Sequence, residues 1–143
     1  MTVPDTSKWS EIGRSDNTRY FVIERGLLIG VPDDGSVDTE QTAIQNVDFQ
    51  NQYFRDNDGG IVIVVIDPMT SQDKGARTIY QSRPDPSIFW GTALVGGSML
   101  SRAIGSFFLG LAKPKTPFKM FSKLEEALPW ARDLLQSNRQ KSP

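Results

Sequence analysis

The chain has 143 residues, with 16 Lys and Arg against 17 Asp and Glu, and it contains no Cys and no His. This length is typical of one domain with its own core. The missing residue types exclude disulfide scaffolds, thiol catalysis, the usual zinc sites and a Ser-His-Asp triad. The charged fraction of 23% and the hydrophobic fraction of 38% indicate a folded chain that is neither disordered nor membrane-embedded.

The first 35 residues predict a lead-in and a β-hairpin. Residues 1–17 are rich in Ser, Thr and Asp and predict a flexible lead-in. They lack the basic and apolar stretches of a signal peptide, so we expect a cytoplasmic protein. Residues 19–24 and 27–31 carry strand-forming side chains on either side of an Arg25-Gly26 turn, and a loop follows at 32–35.

Residues 36–66 predict a helix followed by an interior strand. Either Ser36 or Asp38 can cap a helix that runs to about Asp56. Residues 61–66 are six consecutive β-branched aliphatic residues, and such a run is typical of a strand buried on both faces.

The second half of the chain alternates helices and strands. We predict a polar loop at 69–75, a helix at 76–81, a polar break at 82–86 and a strand at 93–96. Ser98 then caps a helix whose apolar residues repeat with the helical period from Met99 to Leu111. A connector, a strand at 118–121, a helix at 123–136 and a disordered tail at 137–143 follow. The pattern predicts a single α/β domain over residues 18–136, in the order β-β-α-β-α-β-α-β-α.

Residues 91–112 are long and apolar enough to pass for a membrane span. Arg102 and three serines lie inside this stretch, and an arginine near the centre of a spanning helix costs about 2.5–3.5 kcal/mol. The Gly96-Gly97-Ser98 sequence also divides it into a strand, a turn and a capped helix. We therefore predict no membrane span.

Asp67 follows the predicted interior strand, at the position where open α/β sheets present functional groups. A carboxylate there can act as a base or a ligand, although it more often caps the next loop. Asp73, six residues on, can join Asp67 around Mg²⁺ if the two converge. No spacing requires that convergence, so an enzyme is the least favoured hypothesis, and we predict neither catalytic residues nor a cofactor.

Gly96, Gly97 and Ser98 lie between a strand and a helix, where free N–H groups and the helix dipole can hold an anion. Arg102, one turn along, can add a charge-assisted contact. No P-loop lysine and no Gly-x-Gly-x-x-Gly sequence accompanies them. The favoured interpretation is that the glycines allow the strand and the helix to pass closely.

Two apolar features have two interpretations each. Residues 88–90, Ile-Phe-Trp, either close the core or form the rim of a pocket or interface. Ser98, Ser101 and Gly105 form a ridge of small residues that permits close contact with another helix of this chain or with a second chain. A homodimer is therefore an expectation of the sequence, without further support.

The C-terminal part of the chain is basic, with Lys113, Lys115, Lys119 and Lys123 at spacings of two to four residues. Such a patch can attract phosphate, acidic lipid or an acidic partner. The simpler interpretation is a solvated rim in which lysine also protects an exposed sheet edge. Because no aromatic residues alternate with the lysines, we predict no nucleic-acid binding.

The order of elements and several C-terminal sequences resemble the STAS-type, sporulation-antagonist-like domains, and within them a bacterial subgroup. Residues 121–130, Phe-Ser-Lys-Leu-Glu-Glu-Ala-Leu-Pro-Trp, fit the pattern F-x-x-x-x-E-A-L-x-W. The same subgroup is also resembled by four other segments: residues 93–98, 100–109 and 113–117 and the pair Ala76-Arg77. The resemblance covers about residues 20–135 and implies a mixed sheet of four or five strands with about four helices.

The resemblance implies interaction rather than catalysis. Such domains act as anti-sigma-factor antagonists or signalling modules, and some relatives hold nucleotides or apolar ligands. In antagonists a partner kinase phosphorylates a serine at the start of the helix after the central strand. Residues 73–76 here, Asp-Lys-Gly-Ala, carry no hydroxyl, and only Thr70 and Ser71 lie nearby, so no phosphoacceptor is assigned.

The first hypothesis is therefore a non-enzymatic interaction domain in bacterial regulation that recognises a protein partner. The expected partner or ligand surface comprises Asp67, Thr70, Ser71, Asp73, Lys74, Gly97, Ser98 and Arg102. The alternative is a carrier for a lipid, another small apolar ligand or a nucleotide, held between sheet and helices. The expected pocket residues are Phe89, Trp90, Phe107 and Phe108.

Overall fold

A computed structural model describes residues 6–109 and 115–141, except for the side chains of residues 108 and 109. This part of the chain forms eight strands and four helices. In order they are β1 (Ser10–Arg14), β2 (Thr18–Glu24), β3 (Leu27–Pro32), β4 (Val37–Asp38), α1 (Glu40–Asp56), β5 (Gly60–Val65), β6 (Ser71–Gln72), α2 (Lys74–Ser82), β7 (Phe89–Val95), α3 (Met99–Leu109), β8 (Phe118–Phe121) and α4 (Leu124–Lys141).

Six strands form one mixed sheet in the order β1-β2-β3-β5-β7-β8. The pairs β1–β2 and β2–β3 are antiparallel, and the pairs β3–β5, β5–β7 and β7–β8 are parallel. The β-branched strand β5 lies inside the sheet with both neighbours paired, as its sequence predicts. The α/β class, the mixed sheet and the four helices are confirmed, and the sheet has six strands rather than four or five because β1 adds one.

β1 lies within the segment predicted to be a flexible lead-in. It pairs with β2, and the pairing shifts by one position between Glu11 and Gly13. A Cβ on Gly13 would meet the Phe49 ring at 3.0 Å. The sequence of β1 lacks an alternating apolar pattern because it is a mostly exposed edge strand that pairing holds in place. At the opposite edge, β8 has four residues and exposes Lys119.

The final helix is longer than predicted, because residues 137–141 continue α4 instead of forming a disordered tail. Arg139 Nη2 donates a 2.9 Å hydrogen bond to the carbonyl oxygen of Arg25, which ties this last turn to the β2–β3 hairpin. The domain limits themselves stay predictions.

The helices cover the two faces of the sheet unequally. α4 alone packs on one face, where its small residues Ala127 and Ala131 meet the side of β5 that carries Ile61 and Ile63. On the other face, α1 and α3 pack against the alternate residues of the strands, and α2 packs against α1. Adjacent residues of β5 point to opposite faces, and both faces are covered, which explains why its sequence is continuously apolar.

The start of α1 differs from the prediction. Thr39, rather than Ser36 or Asp38, is the N-cap, and it forms a reciprocal capping box with Thr42. Asp38 is 0% exposed and accepts hydrogen bonds from Thr42 Oγ1 at 2.6 Å and Gln72 Nε2 at 3.1 Å. Its carboxylate therefore anchors the buried loop instead of capping the helix.

Helix α3 begins after Ser98, as predicted, since the Ser98 hydroxyl accepts a 3.0 Å hydrogen bond from the backbone N–H of Ser101. Its buried side differs from the predicted apolar side. Ile104 is buried, but Met99 is 86% exposed, and Ser101 and Gly105 face inward. The ridge of small residues therefore packs within this chain and gives no support for a homodimer.

Residues 88–90 pack into the core, as in the first of the two interpretations, and Phe89 also lines a cavity that is described below. β7 begins at Phe89, four residues earlier than predicted, and the Phe89 ring meets the edge of Phe54 at 5.1 Å between centroids. Trp90 packs on the face that α4 covers. The tripeptide therefore gives no support for an interface. None of the helices in the described ranges has the length and apolar character needed to cross a bilayer.

Candidate functional site

The parallel strands β5 and β7 end at the same edge of the sheet and bring Asp67 to the start of α3. Gly97 N–H donates to both oxygens of the Asp67 carboxylate, at 3.1 and 3.2 Å. Ser98 N–H and Ser101 Oγ donate to Asp67 Oδ1 at 3.1 and 2.8 Å. We call Asp67, Gly97, Ser98 and Ser101 the strand-end cluster.

The cluster stabilises the ionised form of Asp67. Partial burial raises the pKa of this carboxyl group, but the hydrogen bonds from Ser101, Ser98 and Gly97 together outweigh burial. The pKa of Asp67 therefore lies below its ordinary value, and the group carries a full negative charge at neutral pH.

The anion cradle, which was the less favoured interpretation of the two glycines and Ser98, is filled by the chain itself. The N–H groups of Gly97 and Ser98 already bind the Asp67 carboxylate. A Cβ on Gly96 would lie 2.6 Å from Asp67 Oδ1, so the glycine is needed for this close approach. Arg102 is exposed and, among the described residues, forms no ion pair. The second interpretation of the glycines, close passage of strand and helix, agrees with this geometry.

The segment between β5 and α2 carries the rest of the predicted surface. Thr70 Oγ1 donates to the carbonyl oxygens of Gly35 and Ser36, at 3.2 and 3.0 Å. Ser71 is exposed in the short strand β6. Asp73 caps α2 by accepting a 2.7 Å hydrogen bond from Ala76 N–H, and Lys74 is exposed.

Asp67 and Asp73 each serve as a helix cap, so the structure does not join them in a magnesium site. Asp67 Oδ1 and Oδ2 bind the start of α3, whereas Asp73 binds the start of α2. Across residues 6–109 and 115–141, no three acidic side chains converge in a way that could hold a metal ion.

A cavity of about 180 Å³ lies on the sheet face that α1, α2 and α3 surround. Its apolar walls come mainly from β5, β7, α3 and β8. The principal apolar residues are Val62, Val64, Phe89, Leu94, Ile104 and Phe118.

Of the three predicted pocket residues whose side chains the structure describes, one lines this cavity. Phe89 does so, whereas Trp90, the next residue of the strand, points to the opposite face. Phe107 lies outside the cavity wall, beside the guanidinium of Arg77 at 5.8 Å from the ring centre. Phe108 has its side chain outside the described part of the structure.

A polar network that was not predicted from the sequence lies at one end of the cavity. The Tyr20 hydroxyl donates to Asn46 Oδ1 at 2.9 Å and accepts from Gln50 Nε2 at 3.0 Å. Asn46 Nδ2 donates to the Tyr80 hydroxyl at 3.1 Å. Asn46 and Gln50 are four residues apart on the buried side of α1. This spacing places two polar side chains on the apolar side of the helix, and it was the sequence signal that could have predicted a buried polar network.

Burial raises the pKa of Tyr20 far above its ordinary value, and the negative charge of Asp38 adds to the shift. Burial and the same carboxylate also raise the pKa of Tyr80. Both tyrosines are therefore neutral hydrogen-bonding groups throughout the physiological range.

Comparison with known proteins identifies the fold and the family of this chain. No curated protein matches the sequence. Among solved structures, the chain is similar to the anti-sigma factor antagonist SpoIIAA in its unphosphorylated form, with 14% sequence identity and a TM-score of 0.57. The match covers 80% of this chain and 97% of that chain, and it shows that the fold is the STAS fold. Residues 21–135 match the family described as a domain of unknown function (DUF7793), and the chain belongs to that family.

Proposed function

We propose that the protein is a non-enzymatic STAS-type interaction domain of bacterial regulation or signalling, which recognises a protein partner. The observation that carries the proposal is the strand-end cluster, which holds the loop after β5 and the start of α3 together in one surface. The likeness to SpoIIAA, an anti-sigma factor antagonist, supports a regulatory role.

The proposed partner surface comprises Asp67, Thr70, Ser71, Asp73, Lys74, Gly97, Ser98 and Arg102. Its hydrogen bonds fix the backbone, while the side chains of Ser71, Lys74 and Arg102 and the backbone of Gly97 remain exposed. Met99 adds a large apolar side chain that is 86% exposed beside these polar groups. Methionine is enriched at protein interfaces, and a rigid surface loses little conformational entropy on binding.

Substitutions on exposed side chains test this surface without disturbing the cluster. Met99→Lys and Ser71→Glu each place a charge on the surface, and neither original side chain makes a hydrogen bond within the described ranges. Ile12→Lys is the matched control, because Ile12 is 44% exposed on the distant strand β1.

Each variant is used for quantitative affinity purification from the native cell. We expect Met99→Lys and Ser71→Glu to lose partners that the wild type and Ile12→Lys both retain. Equal recovery of the same partners by all four proteins would show that recognition uses another surface.

The second proposed function is a carrier of a small ligand, which the cavity favours. Val64 and Thr92 lie on interior strands of the sheet, yet both retain accessible surface. The cavity of about 180 Å³ that they line accounts for this exposure. Ligand pockets for drug-sized molecules occupy roughly 300–1,000 Å³, so this volume favours a small apolar ligand over a lipid or a nucleotide.

Native mass spectrometry of protein purified from its own cell tests the carrier function. A stoichiometric bound mass that disappears on denaturation supports it. Protein that retains only its own mass, under conditions that preserve a known noncovalent complex, argues for the interaction domain alone.

A further inference from the structure

We infer that the cavity binds an uncharged, single-ring compound with one hydroxyl group, which donates a hydrogen bond to Gln50 Oε1. This inference rests on the second proposed function, the carrier, and specifies the class of ligand. Three features of the cavity carry it: its volume, a free hydrogen-bond acceptor and the charge at its polar end.

The volume sets the size of the ligand. An engineered, apolar protein cavity of roughly 150 Å³ takes up benzene. The present cavity of about 180 Å³ leaves room for such a ring and one further small group. Val64, Leu94 and Ile104 offer the ring apolar walls, whose contact with it contributes the hydrophobic part of the affinity.

The acceptor is the side-chain carbonyl of Gln50. The Tyr20 hydroxyl donates its proton to Asn46, so it must accept from Gln50 Nε2, and this fixes the orientation of the Gln50 amide. Within residues 6–109 and 115–141, no donor reaches Gln50 Oε1.

Gln50 lines the cavity, and its side-chain oxygen is not fully enclosed by the protein. Among the described residues, Ser36 Oγ is the one side-chain oxygen or nitrogen that is both fully enclosed and without a hydrogen bond. Gln50 Oε1 also has no hydrogen bond, so it is not fully enclosed and keeps some accessible surface. Gln50 as a whole is only 4% exposed and lines the cavity. The accessible oxygen can therefore accept a hydrogen bond from a ligand in the cavity. Such a bond is favourable because a polar atom without a partner in an apolar site costs free energy.

The charge around the cavity disfavours an anion. Asp38, which is 0% exposed, lines the polar end of the cavity, and none of the described ion pairs includes it. Lys115, the one cationic residue of the described cavity lining, is exposed and donates to the Ser82 carbonyl oxygen at 3.5 Å. A ligand carboxylate would lose its hydration beside a buried negative charge without gaining a buried cation.

Three single-ring probes of similar size separate these features: phenol, toluene and benzoate. Their dissociation constants for the full chain are measured at pH 7 by titration calorimetry, with ligand-observed NMR for weak binding. We expect saturable phenol binding at one site, with toluene about tenfold weaker for the missing hydrogen bond. Benzoate should bind at least tenfold more weakly than phenol.

Variants locate the site. Val64→Phe fills the cavity and should abolish phenol binding. If the phenylalanine prevents folding, the smaller change Val64→Leu replaces it and should weaken phenol binding. Ile12→Phe adds the same ring on the exposed strand β1 and should leave phenol binding unchanged. Folding of every variant is checked by circular dichroism.

The outcomes distinguish this inference from the function on which it rests. Benzoate or toluene binding as tight as phenol binding overturns the ligand class but leaves a carrier. Phenol binding that survives in folded Val64→Phe overturns the site. If no probe binds the folded wild-type protein, both the ligand class and the carrier function fail, while the interaction domain is unaffected.

Discussion

Asp67 Oδ1 accepts a 2.8 Å hydrogen bond from Ser101 Oγ, which joins the end of β5 to the first turn of α3 across 34 residues of sequence. The same oxygen accepts from Ser98 N–H, so one carboxylate binds both a side chain and the free backbone of a helix start. Asp67 thereby supplies the negative charge that a helix N-terminus favours.

We predict that Asp67→Ala lowers the free energy of unfolding by about 1–2 kcal/mol, the usual cost of losing a helix cap. Urea denaturation measures the change. Asp34→Asn is the control, since Asp34 is exposed and its side chain makes no hydrogen bond among the described residues, and it should change stability by less than about 0.5 kcal/mol. A similar loss in both variants would show that Asp67 contributes only as a surface charge.

The lowered pKa of Asp67 predicts a pH-dependent contribution to stability. Because the folded-state pKa lies below the unfolded value, the contribution is present above the ordinary aspartate pKa and is lost as the pH falls through the folded-state pKa. The difference in unfolding free energy between wild type and Asp67→Asn should therefore shrink as the pH is lowered from 6 toward 3. A difference that stays constant over this range would contradict the prediction.

Tyr20 and Tyr80 predict a distinct behaviour in alkali. Their raised pKa values mean that stability from the neutral hydroxyls is complete below the ordinary tyrosine pKa and is lost as the pH rises above it. We expect both groups to ionise only when the chain unfolds, so that tyrosinate absorbance and loss of circular dichroism rise together. Removing one group by Tyr20→Phe should reduce that cooperative absorbance step, and ionisation of Tyr20 in the folded state would contradict its burial.

Gly59 and Gly35 offer a matched test of backbone strain and space. Both have positive φ angles, of 89° and 76°, which an alanine adopts at a cost of roughly 1–2 kcal/mol. A Cβ on Gly59 would also lie 2.3 Å from the Trp90 ring, whereas Gly35 has open space. Thermal unfolding should therefore show Gly59→Ala to be less stable than Gly35→Ala by about a further 1–3 kcal/mol, the usual cost of overpacking. Equal losses would mean that Trp90 moves aside freely.

Local patterns were enough to predict most of the fold. The aliphatic run of β5, the hairpin turn at Arg25 and Gly26, and the Ser98 cap are each determined by neighbouring residues. β1 and the early start of β7 were not predictable in this way. Ser10–Arg14 becomes a strand through its pairing with β2, and Phe89 joins β7 because the adjacent strand continues the ladder.

The candidate site required the tertiary structure. That Asp67 follows a strand was visible in the sequence, but which N–H groups it binds depends on β7 lying next to β5. The Tyr20, Asn46 and Gln50 network draws on a strand and a helix that approach one another only in the folded chain. The predicted inward face of α3 was wrong at Met99 because small residues, rather than the largest ones, allow the helix to approach Met120 on β8.

The two outer strands limit how this molecule can assemble. β1 is interrupted by a shift in pairing and contains the charged residues Glu11 and Arg14, and β8 is short with a lysine at its second position. Bulges, charges and short length are the means by which proteins prevent a foreign strand from adding to an open margin. Extension of the sheet into fibres or strand-exchanged complexes is therefore disfavoured. The partner recognition that we propose would then fall to the loops and helix ends, where side chains rather than main-chain ladders decide specificity.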